Sequence, residues 1–191
     1  MSNPTNSTNK PNLSNKGGYK NLIVYQQAVL IFDLTDEFCK KNLDQFRDKR
    51  TIEQMIQASR SGKQNIVEGS SEKSLKMNIK LTGVARASFG ELKEDYEDFL
   101  RIRKLPIWDK IDPRVLKIRN AYKTNEPNLT YKSYVSNGES FANLMLTLLS
   151  TENFLLDQLL RSLEAKFICE GGYSENLFKK RLNYRNNISK K

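Results

Sequence analysis

The sequence contains no histidine, and this absence excludes several kinds of active site. Without imidazole there is no Ser-His-Asp or Cys-His catalysis, no histidine-ligated zinc, and no di-iron centre of the ferritin-like type. The two cysteines, Cys39 and Cys169, are far apart and lack the spacing of a metal site. We expect each to be a buried, reduced thiol. We predict neither a cofactor nor a metal site.

Long apolar runs are also missing. No stretch approaches the roughly 20 apolar residues of a membrane span, and the N-terminus has no apolar segment of the signal-peptide kind. We therefore expect a cytoplasmic protein. Residues 1–18 hold few large apolar side chains, so we predict a disordered basic tail there.

The net charge of +10 is unevenly distributed. Residues 101–132 carry nine basic groups against three acids, and residues 173–191 carry six against one. Residues 21–100 have a net charge of −1 and residues 133–172 a net charge of −3. The basic character belongs to segments around a nearly neutral core, where charge for binding a partner is expected.

Apolar residues recur at three- and four-residue steps in four long segments, as in amphipathic helices. These predicted helices span about 21–41, 50–69, 74–104 and 139–166. Shorter helices are predicted from Pro113 to about Tyr122 and over 174–184, with a loop at 125–138 and a break at Gly171-Gly172. We predict an all-α, up-down-up-down four-helix bundle over 19–166, with a basic insert at 105–137 and a suffix at 167–191.

Small and polar residues occupy 58–69, inside the second predicted helix. Glycine weakens a helix interior by roughly 1 kcal/mol relative to alanine, so such a run indicates close approach of another helix. The third predicted helix also has small side chains over 85–90. We expect the second and third helices to pack there as an antiparallel pair. Gly69 is expected to end its helix in a left-handed conformation, and Ser70 or Ser71 to cap the next one.

The fourth long helix is apolar on more than one side, because Phe154, Leu156 and Leu160 widen its main stripe. Such a helix is either central or also buried by another subunit. The stripe predicted for the third helix consists of Leu81, Val84, Ala85, Ser88, Leu92, Tyr96, Phe99 and Leu100.

Three runs of sequence stand out, at 19–28, 57–69 and 85–92. The second contains an Asn-x-x-Glu-Gly motif, and the third contains an Ala-Arg-x-Ser-x-x-Glu-Leu motif. They resemble the four-helix-bundle proteins encoded in intervening sequences of bacterial 23S ribosomal RNA. That family is similar in turn to the accessory proteins of diversity-generating retroelements. The resemblance covers about 19–104, and the segment 170–181 resembles the suffix of a subgroup. The motif residues in this chain are Arg60, Asn65, Glu68, Gly69, Arg86, Ser88 and Glu91.

The resemblance implies a bundle that assembles as a homopentamer around a central channel. It also implies basic surfaces that bind RNA or DNA and a protein partner of the reverse transcriptase kind, as in the retroelement relatives. Within the bundle, we expect Asn65, Glu68 and Arg86 to join the second and third helices, with Arg86 reaching Glu68 or Asn65. The alternative is that Arg60 and Arg86 line a channel and meet phosphates.

Four carboxylates, Glu91, Glu94, Asp95 and Asp98, lie along one side of the third helix. Such spacing could build a metal or acid–base site. Without histidine, a solvated face or ion pairs between subunits is the preferred interpretation. Because like charges repel, we expect a basic side chain from a neighbouring helix near them.

Basic residues alternate with Trp108, Tyr122 and Tyr131 in and before the insert, a pattern typical of single-stranded RNA or DNA binding. The alternative is a solvated insert whose Trp108 packs back on the bundle. The predicted nucleic-acid-binding residues are Arg101, Arg103, Lys104, Lys110, Arg114, Lys117, Arg119, Lys123 and Lys132, with a weaker set of Lys179, Lys180, Arg181 and Arg185 in the suffix.

These observations favour a non-enzymatic, homo-oligomeric protein that binds nucleic acid or serves a ribonucleoprotein. A protein-interaction scaffold without nucleic-acid binding is the alternative. A small helical nuclease is disfavoured. Nucleases built on similar bundles have an active site of the Arg-x4–6-His pattern, and this chain has no histidine.

Overall fold

The computed structural model describes residues 18–121 and 131–188, and these residues form helices but no β-strand. The long helices are α1 (Ile23–Asn42), α2 (Lys49–Ser71), α3 (Leu75–Ile102) and α5 (Gly138–Glu170). The insert contributes α4 (Pro113–Ala121), the suffix contributes α6 (Tyr173–Ile188), and a 3-10 helix over Tyr19–Asn21 precedes α1. The prediction of an all-α fold is confirmed.

The four long helices form an up-down-up-down bundle. Helix α2 packs against α1 and α3, and α5 packs against the same two helices. Gly138 at the start of α5 lies against the ring of Phe99 near the end of α3. Farther along α5, Asp157 pairs with Arg86, which lies nearer the start of α3. The two helices therefore run antiparallel, as the predicted topology requires.

Four aromatic rings fill the core at the end of the bundle where α5 begins. Phe38 packs edge-to-face against Tyr96, Phe99 and Phe141, with ring centroids 4.8, 4.8 and 5.3 Å away. The buried hydroxyl of Tyr96 is satisfied by Thr35 Oγ1 at 3.1 Å. Such pairs add about 0.5–1.5 kcal/mol each to the burial of the rings, so this cluster is a principal source of stability.

The small residues of α2 make room for an aromatic ring of α3. Gly62 lies against the fully buried Phe89, and a Cβ added at Gly62 would be 2.5 Å from Phe89 Cζ. One residue earlier, the Ser61 and Ser88 hydroxyls form a 3.0 Å hydrogen bond. The predicted antiparallel packing of the two segments is confirmed. Gly90 takes no part in it, because no atom lies within 4 Å of a Cβ built there.

The prediction that Gly69 ends α2 in a left-handed conformation is wrong, because the helix continues to Ser71. Gly69 is instead buried against α3, where an added Cβ would be 3.1 Å from Asn78 Oδ1. Close packing therefore accounts for this glycine. The hydroxyls of Ser70 and Ser71 both donate to the Val67 carbonyl oxygen, so neither caps α3 as predicted.

Exposure corrects two further predictions, those for Val84 and Cys169. Val84 is 39% exposed and lies outside the core stripe of α3, where the fully buried Phe89 was missed. Phe154 is 60% exposed on α5. Cys39 is buried as predicted, and burial, followed by the nearby carboxylates, raises its thiol pKa to about 12. Cys169 is exposed, contrary to prediction, because it lies on the part of α5 that extends past the bundle.

Burial along α5 changes from one end to the other. Every residue over 141–149 is buried, whereas most of 161–170 is exposed. The insert explains the first part, because α4 packs on α5 opposite the bundle core. The broad apolar surface of α5 over 141–149 is therefore buried within the chain and not exposed to solvent. Gly171, with φ of +76°, ends the helix at the predicted break.

Across the described ranges, no helix combines the length and apolar character that a membrane crossing needs.

Candidate nucleic-acid interface

The insert is fixed to the bundle by a buried amide on α5. The Trp108 backbone N–H donates to Asn143 Oδ1 at 2.8 Å, and Asn143 Nδ2 donates to the Pro106 carbonyl oxygen at 3.0 Å. The indole N–H of Trp108 also donates to Glu139 Oε1 at 3.3 Å. The chain after α3 is thus held in one register against α5, which fixes where its basic residues lie.

The aromatic residues of the insert pack inward, so the predicted base-stacking platform is wrong for those the structure describes. Trp108 is half-buried, with the Arg114 guanidinium 3.8 Å above its ring and Tyr134 edge-on at 6.0 Å. Tyr131 is only 2% exposed. Tyr122 lies outside the described residues. The alternative, in which Trp108 packs back on the bundle, is the one observed.

Three of the predicted cations are already engaged within the chain. Arg101 pairs with Asp98 at 2.8 Å, and Arg114 pairs with Asp112 at 2.7 Å. The hydrogen bond from Arg114 lowers the pKa of Asp112 and raises that of the arginine. Arg103 lies over the Phe99 ring with a centroid distance of 4.0 Å. Because each of these three side chains already interacts with a carboxylate or an aromatic ring, it would attract a phosphate less strongly.

The other described cations of this region have no carboxylate within 4.0 Å among residues 18–121 and 131–188. All are exposed except Arg119, which is half-buried. Lys123 lies outside the described residues. The available cations are Lys104, Lys110, Lys117, Arg119 and Lys132.

The suffix offers a second basic surface on α6. Lys179, Lys180 and Arg181 are exposed, and no described carboxylate lies within 4.0 Å of them. Arg185 is also exposed, in the last turn. The large apolar side chains of α6 are exposed on the same helix, as Ile107, Ile111 and Leu116 are in the insert.

The motif residues hold the bundle together in a different way from that predicted. Arg86 pairs with Asp157 on α5, with an Nη2–Oδ2 distance of 3.3 Å, and not with Glu68 or Asn65. Asn65 donates instead to the Ser61 carbonyl oxygen within α2 at 2.8 Å. Glu68 is exposed, as are Arg60 and Glu91, whereas Ser88 is buried in the α2–α3 seam.

The carboxylates of α3 form a distinct acidic surface, comprising Glu91, Glu94, Asp95 and Asp98. We expected a basic side chain of a neighbouring helix near these carboxylates, but among the described residues none forms an ion pair with them. Among described residues, only Asp98 has a cation within 4.0 Å, and that is Arg101 of the same helix. Arg50 of α2 lines the same groove as Glu91 and Asp95 without forming an ion pair. Burial, and then the charges of Asp98 and Glu91, raise the pKa of Asp95 to about 6.

Glu152 was not singled out by its sequence pattern, yet it is the most unusual charged residue of the core. It is fully buried on α5, and neither carboxylate oxygen has a hydrogen-bond partner within the described ranges. Burial raises its pKa well above the usual value. Its position four residues after Leu148 and four before Leu156, inside the apolar stripe, was a signal available in the sequence.

No group of three or more acidic or thiol side chains could hold a metal ion within residues 18–121 and 131–188. No curated protein and no solved structure matches the chain. The model of one family does match, over residues 20–123, which includes α1 to α4 and therefore more than half of the chain. The chain belongs to the family of 23S rRNA-intervening sequence proteins.

Proposed function

We propose that this protein is a non-enzymatic, homo-oligomeric accessory protein that binds nucleic acid through the basic insert. The observation that carries the proposal is the set of insert cations without a carboxylate neighbour, held in place by the Asn143 anchor. The family's name connects it with 23S ribosomal RNA, so RNA is the first ligand to test.

Electrostatic attraction to phosphates, rather than base stacking, would dominate such binding, because Trp108 and Tyr131 pack inward. Binding of this kind depends little on sequence and strongly on salt, since it releases counterions from the nucleic acid. A homo-oligomer, a pentamer by resemblance, would multiply a weak contact by presenting several copies of the insert. A cytoplasmic location would suit this role.

Fluorescence anisotropy with labelled single-stranded RNA, single-stranded DNA and duplex RNA tests the proposal. We expect binding at about 50 mM salt that weakens at least tenfold by about 200 mM. The variant Lys110→Glu/Lys117→Glu is expected to lose at least tenfold in affinity at the lower salt. Absence of binding by the unmodified protein at low salt would overturn the proposal.

The matched control is Lys73→Glu/Lys76→Glu, which makes the same charge change on exposed residues at the other end of the bundle. A general charge effect would weaken both variants equally, whereas a site in the insert predicts a much larger loss for the insert variant. Equal losses would contradict an interface in the insert.

A protein-interaction scaffold is the second candidate function, favoured by the exposed apolar side chains of α6 and the end of α5. Affinity capture from nuclease-treated lysate at high salt separates it from the first. A partner retained under both conditions, together with no anisotropy change at low salt, would favour the scaffold.

A further inference from the structure

The suffix helix α6 packs against no helix of its own bundle. None of its residues is buried, and hydrogen bonds fix it to the end of α5 at the turn that joins the two helices. There, Asn176 Nδ2 donates to the Glu170 carbonyl oxygen at 3.0 Å, and the Gly172 N–H donates to Glu175 Oε2 at 3.0 Å. Most helical stability in proteins comes from packing of an apolar face, and α6, with 16 residues, is only slightly longer than the isolated helices that are marginal in water, so a partner surface would stabilise it.

The partner surface must cover apolar side chains. Phe178 is 62% exposed, Leu177 48% and Leu182 39%, and Phe178 and Leu182 lie one turn apart. A nucleic-acid backbone offers phosphates to the neighbouring cations but little to cover such side chains. This combination favours a protein surface that is both apolar and acidic.

The charge of α6 argues against pairing of two α6 helices with each other. Over Tyr173–Ile188, four basic residues oppose the single acid Glu175, a net charge of +3. Two such helices side by side would bring like charges together, which is unfavourable. An acidic partner surface removes this repulsion.

The acidic surface of α3 has the complementary charge. The stretch from Glu91 to Asp98 contains five carboxylates and one lysine, a net charge of −4. Glu91, Glu94 and Asp95 have no cation within 4.0 Å among the described residues. Lys179, Lys180 and Arg181 on α6 likewise have no carboxylate within 4.0 Å among the described residues, so both members of the inferred contact carry charge available to a partner.

A groove beside this acidic surface supplies the apolar component. It has a volume of about 560 Å³ and is lined by Leu43, Met55, Phe99 and Ile102 together with Asp95 and Asp98. Arg47 and Arg103 also line it, and each is paired with an aspartate of its own chain, Asp44 and Asp48. Ile102 is 67% exposed at its rim. A helix lying along α3 could place Phe178 or Leu182 in this groove and its basic residues beside the carboxylates.

Within one copy, α6 and the acidic surface of α3 lie toward opposite ends of the bundle. Leu163, near where α5 leaves the bundle, lines a pocket with Thr82 of α3. Asp98 is 16 residues farther along α3 than Thr82, which is about 24 Å at the rise of an α-helix. Helix α6 begins beyond Leu163 on the side away from Asp98, so a second copy meets the acidic surface more directly than the same chain does.

We infer that α6 of one copy packs along the acidic surface and its groove on a second copy, in a head-to-tail contact. The inference rests on the homo-oligomeric part of the proposed function and names the contact that holds the copies together. Repetition of a head-to-tail contact builds a ring when its rotation closes. It assigns the cations of α6 to assembly and leaves those of the insert for nucleic acid.

A charge-swap experiment on the full chain tests this contact. The first variant is Lys179→Glu/Arg181→Glu, and the second is Glu91→Lys/Glu94→Lys; all four positions are exposed. By light scattering, the unmodified protein should have a multiple of the 22.1 kDa chain mass, and each variant alone should fall towards 22.1 kDa. A single chain that carries all four substitutions should recover the larger mass, because each reversed surface then meets a reversed surface at every contact of the oligomer.

The insert variant Lys110→Glu/Lys117→Glu serves as the matched control and should keep the full oligomer mass while losing nucleic-acid affinity. Far-ultraviolet circular dichroism checks that every variant retains its helices. The inference is overturned if the two swap variants keep the unmodified mass, or if the chain that carries both swaps fails to recover it. An unmodified protein of 22.1 kDa at all concentrations overturns both the inference and the proposed homo-oligomer. Nucleic-acid binding is measured separately, so its failure alone would leave the contact standing.

Discussion

The two parts of α5 show how the same kind of helix is used differently within one chain. Over 141–149 every side chain is buried, because α1 and α3 cover one side and the insert covers the other. Beyond Asp157 no residue of α5 is fully buried, and large apolar residues such as Ile168, 81% exposed, face outward. An apolar sequence therefore becomes core only where a partner covers it. The outer part of α5 and all of α6 are left largely uncovered by the rest of the described chain.

The sharpest test of this comparison places the same substitution in both parts of α5. Phe141→Ala removes a fully buried ring from the aromatic cluster and should lower the free energy of unfolding by about 3–5 kcal/mol. Phe154→Ala removes a ring that is 60% exposed, and should change it by no more than about 0.5 kcal/mol in the single chain. Urea unfolding followed by circular dichroism measures both. Similar losses at the two positions would contradict the difference in packing.

The anchor of the insert can be broken next. Asn143→Ala removes both hydrogen bonds to the Pro106–Trp108 segment and leaves their partners unsatisfied, which should lower the free energy of unfolding by about 1–3 kcal/mol. Fluorescence of Trp108, the only tryptophan, should shift to longer wavelength as the ring gains exposure. Asn120→Ala, at an exposed position of α4, is the control and should leave the emission unchanged. An unshifted emission in Asn143→Ala would mean that the amide does not hold the insert.

Glu152 lies just beyond the continuously buried stretch 141–149 of α5 and is itself fully buried. Replacing it with leucine removes an unpartnered buried carboxyl, so Glu152→Leu should raise the free energy of unfolding by about 1–3 kcal/mol near pH 7. Because the folded-state pKa is raised, the native protein binds the proton more tightly than the unfolded chain. Stability is therefore fullest below the usual glutamate pKa and falls as pH rises toward the folded-state value.

The advantage of Glu152→Leu should accordingly widen in urea titrations as the pH rises above the usual glutamate pKa. Glu164→Leu, at an exposed position of the same helix, should change stability by no more than about 0.5 kcal/mol and show no such widening. A pH-independent difference for Glu152→Leu would indicate that the carboxyl has a partner or remains ionised.

Periodicity was sufficient to predict the bundle, because each long helix must bury an apolar stripe and the four stripes meet in one core. It did not predict the partner of Arg86, since a side chain at the edge of a stripe can face either of two neighbouring helices. The packing of Trp108 could not be predicted either. The insert before α4 has no helical periodicity that would indicate which way this side chain faces. Glu152 was predictable in principle, as a charge within an apolar stripe, but only burial in the structure identifies it as an uncompensated group.

The smallest expected effect concerns the residue that turns the chain from α3 into the insert. Lys104 has φ of +55°, the only positive φ among described residues other than glycine. Its N–H donates to the Arg101 carbonyl oxygen at 3.1 Å, and the Leu105 N–H donates to the Leu100 carbonyl oxygen at 2.9 Å. These are the two hydrogen bonds of a Schellman motif, in which glycine is usual at the left-handed position. Helix α3 therefore ends by this motif, before Pro106 is reached.

Lys104→Gly should raise the free energy of unfolding by about 1 kcal/mol, because glycine adopts this conformation without the steric cost of a Cβ. The same substitution removes one available cation, so it should weaken RNA binding slightly while stabilising the fold. Lys110→Gly, inside the insert, removes a cation without relieving strain, and should weaken binding without stabilising the protein. If Lys104→Gly instead destabilised the fold, the lysine side chain would have to hold the junction through contacts of its own. The insert would then depend on that side chain as well as on Asn143 for its position on α5.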